Sequence, residues 1–133
     1  MSDEIKRKTA ETAQAYFDGY PWDRPYELWK SFDPGLAKDL SLFITGQMYA
    51  RQKLDHPTRQ LVAVSALAAL ERADELRLHI WAGLNVGCDP ADLAEAIFQV
   101  GIYAGMPVVN RALAVLKEVL DERGQWPLEP DRD

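Results

Sequence analysis

The chain has 133 residues, 47% apolar and 27% charged, with a net charge of −6. These are the size and composition of one globular domain, residues 1–133, and the acidic balance excludes the basic footprint that nucleic-acid binding requires. No apolar run approaches the ~20 residues of a membrane span, the lone Cys88 excludes an intrachain disulfide, and the N-terminus has no apolar signal segment, so a cytoplasmic location is expected.

In chain order the elements read as follows. Residues 3–18 form a polar helix with a thin apolar stripe of Ile5, Thr9, Ala13, Tyr16 and Phe17, and Gly19 stops it. Residues 20–25, Tyr-Pro-Trp-Asp-Arg-Pro, cannot be regular helix and are read as a loop whose two aromatics pin onto a neighbour. A short helix over 25–32 closes an N-terminal arm of residues 1–33. Asp33-Pro34 is a restart, Asp as N-cap and Pro in the first turn. The helix that follows is expected to run to Tyr49 with Leu36, Leu40, Phe43, Ile44 and Met48 facing inward.

After a connector at 51–54, Asp55 or His56 caps the next helix. Its run from 61 to 70 holds one polar residue, Ser65, and a helix apolar on all sides must be covered on all sides. A fifth helix spans 74–86 and Gly87 fits the left-handed position that ends it. Asp89-Pro90 starts a sixth, to Ala104, with Leu93, Ala94, Ile97, Val100 and Gly101 inward. Gly105 is read as a left-handed stop, and Pro107 opens a seventh helix that ends at Gly124. The tail, 125–133, is expected to fray. With no period-2 alternation, the class is all-α, of six or seven helices. The fourth, sixth and seventh helices are apolar on more than one face, more than one small domain covers, so a homo-oligomer is expected.

The polar knot between the fourth and fifth helices carries the chemistry. Glu75 and His79 stand i, i+4 on one helical face, a carboxylate and an imidazole suited to acid/base work. His56 and His79 come without a matched ligand set, so no metal is expected. His56 reads as a surface residue at a helix cap. Cys88 has no evident base partner and reads as structural. Trp22, Trp29 and Trp81 read as packing. Arg51, Arg59 and Arg72 are each able to pair a carboxylate, or to make an ordinary surface ion pair.

Four segments carry a resemblance: Thr58-Arg59, then Ala68-Ala69-Leu70, then Glu75-Leu76-Arg77-Leu78-His79 with Ala82-Gly83-Leu84-Asn85-Val86-Gly87, then Gln99 to Pro107 with Tyr103-Ala104-Gly105 and Asn110 beyond it. On these the chain resembles the carboxymuconolactone decarboxylase family. The connector resembles the family's aromatic-x-Arg segment, with Tyr49 and Arg51 in the matching places. The resemblance implies the all-α alkylhydroperoxidase D-like fold and a trimeric or hexameric assembly. It also implies cofactor-free decarboxylation of a small anionic lactone such as γ-carboxymuconolactone, in the catabolism of aromatic acids. In that reading His79 and Glu75 are catalytic, and Arg51, Arg72, Tyr49, Tyr103 and Asn110 contact substrate. The same fold on a different small lactone or keto acid, or a non-catalytic binding protein, are the alternatives. Where the peroxidase branch carries Cys-x-x-Cys this chain has Arg72 and Glu75, so thiol peroxidase chemistry is not expected. Gln52-Lys53 stand where the decarboxylase branch usually has Pro-Gly, Tyr49 replaces its Trp, and Glu71 replaces a Gly.

Overall fold

The structure, a computed structural model, describes residues 2–129. The described residues form seven α-helices and one π-helical turn, with no strand: α1 (Asp3–Phe17), α2 (Pro25–Phe32), α3 (Pro34–Phe43), π1 (Ile44–Tyr49), α4 (His56–Ala69), α5 (Ala73–Asn85), α6 (Pro90–Ala104) and α7 (Met106–Glu122). The class is all-α, as expected. Each Asp that opens a helix closes its cap: Asp33 Oδ1 accepts from the Leu36 N–H at 3.0 Å, Asp55 Oδ1 from Thr58 at 2.9 Å and Asp89 Oδ1 from Ala91 at 2.8 Å. A proline in the first turn of each of these helices fixes φ where no N–H is needed.

The core lies between α4, α5, α6 and α7. Leu76, Ile80, Leu93, Ile97, Val109, Val119 and Leu120 are almost fully enclosed there. Burial of each such side chain is worth about 1.5–3 kcal/mol. The end of α1 is fastened to α5. Trp81 Nε1 donates to the Asp18 carbonyl, and Asn85 Nδ2 donates to the carbonyls of Tyr16 and Asp18, all at 2.9 Å. Tyr20 and Trp22 pack edge-on to Trp81, with ring centroids 5.9 and 6.2 Å away. The aromatic loop is pinned as its composition suggests, and Trp81 is the packing residue.

Three expectations are corrected. The helix after Asp33 does not stay α-helical to Tyr49: its last turn is π, and Ala50 N–H donates to the Thr45 carbonyl, five residues back. Nor does it bury the expected stripe. Leu36, Phe43 and Met48 are exposed, while Ala37, Leu42, Thr45 and Gly46 face inward. Small residues win that face because α1 crosses close: a Cβ on Gly46 would collide with the Thr9 side chain and lie 3.1 Å from the Ile5 carbonyl. Within the single chain α4 is covered on one face, by burial of Gln60, Val64 and Ala68, while Val62 and Leu70 are each 58% exposed, so the surface for which an oligomer is expected stays open. Third, Gly105 is not a left-handed stop. Its φ of 93° and ψ of 159° lie in an extended region that glycine alone adopts readily, and it joins α6 directly to α7. Of the tail expected to fray, residues 130–133 lie outside the described residues.

Candidate active site

His79 sits in the middle of α5 with 8% of its surface exposed. Two neighbours hold the ring. Nδ1 lies 2.8 Å from Gln60 Oε1 on α4, and Nε2 lies 3.4 Å from Tyr49 Oη at the end of π1. An amide oxygen only accepts, so Nδ1 carries the proton and donates it to Gln60. That leaves the Nε2 lone pair pointing past the Tyr49 hydroxyl, whose contact is long for a hydrogen bond. Burial pushes the His79 pKa down to about 4, because a charged imidazolium loses hydration there. The ring is therefore neutral at physiological pH. Burial likewise raises the Tyr49 phenol above its usual range.

The π turn matters for this geometry. Five-residue spacing carries Tyr49 around to meet α5, and its ring stands edge-on to His79 at 5.6 Å and to Tyr16 at 5.7 Å. Single π turns inside α-helices recur at functional positions. Tyr16, fully enclosed, places its hydroxyl 2.7 Å from His56 Nδ1. His56 is thus not a free cap-region residue: half-buried, it is tied to α1.

A cavity of about 1140 Å³ opens over His79. One wall is α4 and the start of α5, where Ala63 and Ala66 leave room; the other is the aromatic loop and α2. Six aromatic side chains line it: Phe17, Tyr20, Trp22, Tyr26, Trp29 and Tyr49. Trp22 and Trp29 are therefore cavity walls as well as packing. Two arginines reach it. Arg77 is held by Glu118, through Nε and Nη2 at 3.1 Å each, and by Asp74 at 3.1 Å. Arg24 stacks on Phe17 and Tyr26 and makes one looser ion pair with Glu27 at 3.5 Å.

Of the residues singled out in the sequence, His79, Glu75 and Tyr49 come together at this cavity. Glu75, however, does not orient the imidazole: both ring nitrogens face other residues, and Glu75 is exposed one turn back on α5. Gln60 is the residue that holds the ring through Nδ1. Four others stand outside the lining. Arg51 is exposed, and its carbonyl accepts from Arg59 Nη2 at 3.1 Å. Arg72 turns to the Leu70 carbonyl at the end of α4. Tyr103 is 80% exposed on α6, and Asn110 is exposed on α7. Within a single chain, these four do not meet His79.

Sequence reasoning missed Gln60, Arg24 and Arg77. The signal for Gln60 was present: residues 60, 64 and 68 share one face of α4 at i, i+4 spacing, and a glutamine at the head of that inward row needs a partner. Cys88 is buried, its thiol 3.4 Å from the Pro57 carbonyl and its pKa pushed up to about 11, mainly by burial. That is the environment of an inert thiol. Among the described residues no group of three or more His, Cys, Asp or Glu is placed to hold a metal, and no helix is long and apolar enough to cross a membrane.

Comparison with known proteins gives two kinds of match. The profile of the carboxymuconolactone decarboxylase family fits residues 34–118, from the start of α3 into α7. A 4-carboxymuconolactone decarboxylase of Acinetobacter baylyi is 34% identical over 111 residues, covering 84% of this chain and 83% of that one. An uncharacterised 15.0 kDa protein from the nqo9-nqo10 intergenic region of Paracoccus denitrificans is 28% identical over 94 residues, 69% of this chain and 70% of its own.

Proposed function

The chain belongs to the carboxymuconolactone decarboxylase family, and from that premise we propose that it is a cofactor-free decarboxylase of a carboxylated lactone, with His79 as its acid/base group. γ-Carboxymuconolactone is the reference substrate, after the Acinetobacter relative, a 4-carboxymuconolactone decarboxylase. The observation that carries the reading is the neutral, buried His79 at the floor of the cavity, its Nε2 free of any short partner.

The chemistry needs little else. A carboxylate on the γ-carbon of an unsaturated lactone leaves as carbon dioxide. Its bonding pair passes through the alkene to the lactone carbonyl, giving a dienolate. One proton must then be added to carbon, so each turnover consumes one proton. His79 is poorly protonated in the empty site. An anionic carboxylate arriving within ~4–6 Å raises such a pKa by roughly 1–3 units. Substrate binding would thus draw a proton onto Nε2; loss of carbon dioxide leaves the negative charge on the dienolate, a far stronger base than the carboxylate, and the proton passes from Nε2 to its carbon. Gln60 holds the ring and its tautomer through this cycle. Arg24, with one loose partner, is the cation suited to the substrate carboxylate. Glu75 and the hydroxyl of Tyr49 remain within the site as further polar contacts. Arg51, Arg72, Tyr103 and Asn110 would contact substrate only if a second copy presented them.

The test is carbon dioxide release from γ-carboxymuconolactone by wild type and His79→Ala. General acid/base catalysis contributes about 10²–10⁴-fold, so the variant should lose at least a hundredfold in kcat. A loss of tenfold or less would remove His79 from the proton step. No turnover by wild-type protein would remove this substrate.

A further inference from the structure

The cavity is larger and more acidic than a small dianionic lactone calls for. Its volume of about 1140 Å³ exceeds the roughly 300–1,000 Å³ of ordinary small-molecule sites. A five-membered ring bearing two carboxylates would leave most of it to water. Charge tells the same way. Four carboxylates line the cavity, Asp23, Glu27, Asp74 and Glu75, against the two guanidiniums of Arg24 and Arg77. Arg77 already holds two carboxylates, Glu118 and Asp74, through three of its five N–H groups. Arg24, with its single looser partner Glu27 at 3.5 Å, is the cation more open to a ligand, within a chain of net charge −6. A second carboxylate on the substrate would face surplus acid with no partner.

The walls supply what the charges do not. Six residues of α2, from Pro25 to Ser31, line the cavity, yet no residue of α2 is buried. Helix α2 spends its apolar side on the cavity rather than on the core. Ala63 and Ala66 of α4 line the same cavity with short side chains.

We propose that the substrate is a monoanion with one carboxylate for Arg24 and a flat aromatic body, larger than one ring, held between Trp29 on α2 and the alanine face of α4. This deepens the decarboxylase reading and rests on it for the reaction, though not for the ligand class.

The experiment has a binding arm and a turnover arm, both on the full chain as purified. Calorimetry compares 2-naphthoate with the dianion cis,cis-muconate, on wild type, Trp29→Ala and Arg24→Gln. Naphthoate should bind at least about tenfold more tightly than muconate. Trp29→Ala should remove most of that advantage and keep the fold, since α2 buries no residue in the core. Arg24→Gln should weaken both acids. Turnover compares 3-(2-naphthyl)-3-oxopropanoate with the dianions 3-oxoglutarate and γ-carboxymuconolactone, by carbon dioxide release above the uncatalysed rate. Muconate binding as tightly as naphthoate would overturn the proposal, as would no naphthoate binding because a second copy fills the cavity, or binding that Trp29→Ala leaves unchanged. If γ-carboxymuconolactone is then turned over, the decarboxylase reading survives alone. Tight, Trp29-dependent naphthoate binding with no carbon dioxide from any acid would uphold the ligand class and defeat the reaction.

Discussion

Acidification should unfold this protein through His79 in a measurable and removable way. The folded pKa of about 4 lies below the ordinary value near 6.5. Between those pH values the unfolded chain binds a proton at this position and the folded chain does not. Stability therefore falls as pH drops from 6.5, and this contribution levels off below pH 4. The separation corresponds to about 3 kcal/mol, at a slope of about 1.4 kcal/mol per pH unit. Against a total of about 5–15 kcal/mol for a domain, that is a large share. His79→Gln keeps a donor for Gln60 Oε1 and does not titrate here. Urea unfolding at pH 7, 6, 5 and 4, at one protein concentration because association adds to apparent stability, should show wild type losing about 3 kcal/mol more than the variant. Parallel losses in the two proteins would mean that His79 titrates normally, and the neutral-imidazole reasoning would fall with it.

Gln60→Glu should move the same titration the other way: an opposite charge against Nδ1 raises an imidazole pKa by roughly 1–3 units, and the His79 ring signals in an NMR titration should follow, with a His56→Gln variant to assign them. Glu71→Gly should stabilise the chain by about 1 kcal/mol in thermal unfolding, because Glu71 closes α4 at φ 58°, where an L side chain is strained. Light scattering should return a mass of at least about threefold the 15.0 kDa chain, since the open apolar faces of α4 and α6 need cover; a monomer at micromolar concentration would refute that.

Helix boundaries were legible because they are written in local chemistry. Each Asp-Pro or Asp-His-Pro start is an N-cap followed by a residue that fits the first turn, and Gly87 and Gly124 adopt the positive φ their places call for. The family motifs led to His79 for a related reason: they are contiguous along one helix. What was not legible depends on which helix crosses which. The inward face of α3 could not be read, because its apolar content is greatest on the open side and small residues hold the crossing with α1. The π turn was hidden for the same reason, as it follows from that close approach at Gly46 and not from any residue preference. Gln60 and His79 are 19 residues apart, and only the α4–α5 hairpin brings them together.

The buried polar residues argue for where the site is, independently of any motif. Four are enclosed among the described residues: Thr12, Thr45, Gln60 and His79. Two of them pair with each other, yet Gln60 Nε2 is left without a partner. Such an orphan costs about 1–3 kcal/mol, and burial denies His79 its charge as well. Apolar residues of similar size would serve the core better. Both costs fall at one point, beneath the aromatic cavity and beside the π turn. Departures from packing rules are expected at functional positions; Arg59 Nε, one residue before Gln60, is another buried atom without a partner. The departure has the right sign, since an imidazole held neutral by desolvation regains its proton when an anion settles over it. On the proposed reaction, the ligand's charge would arm the acid that its own loss of carbon dioxide requires.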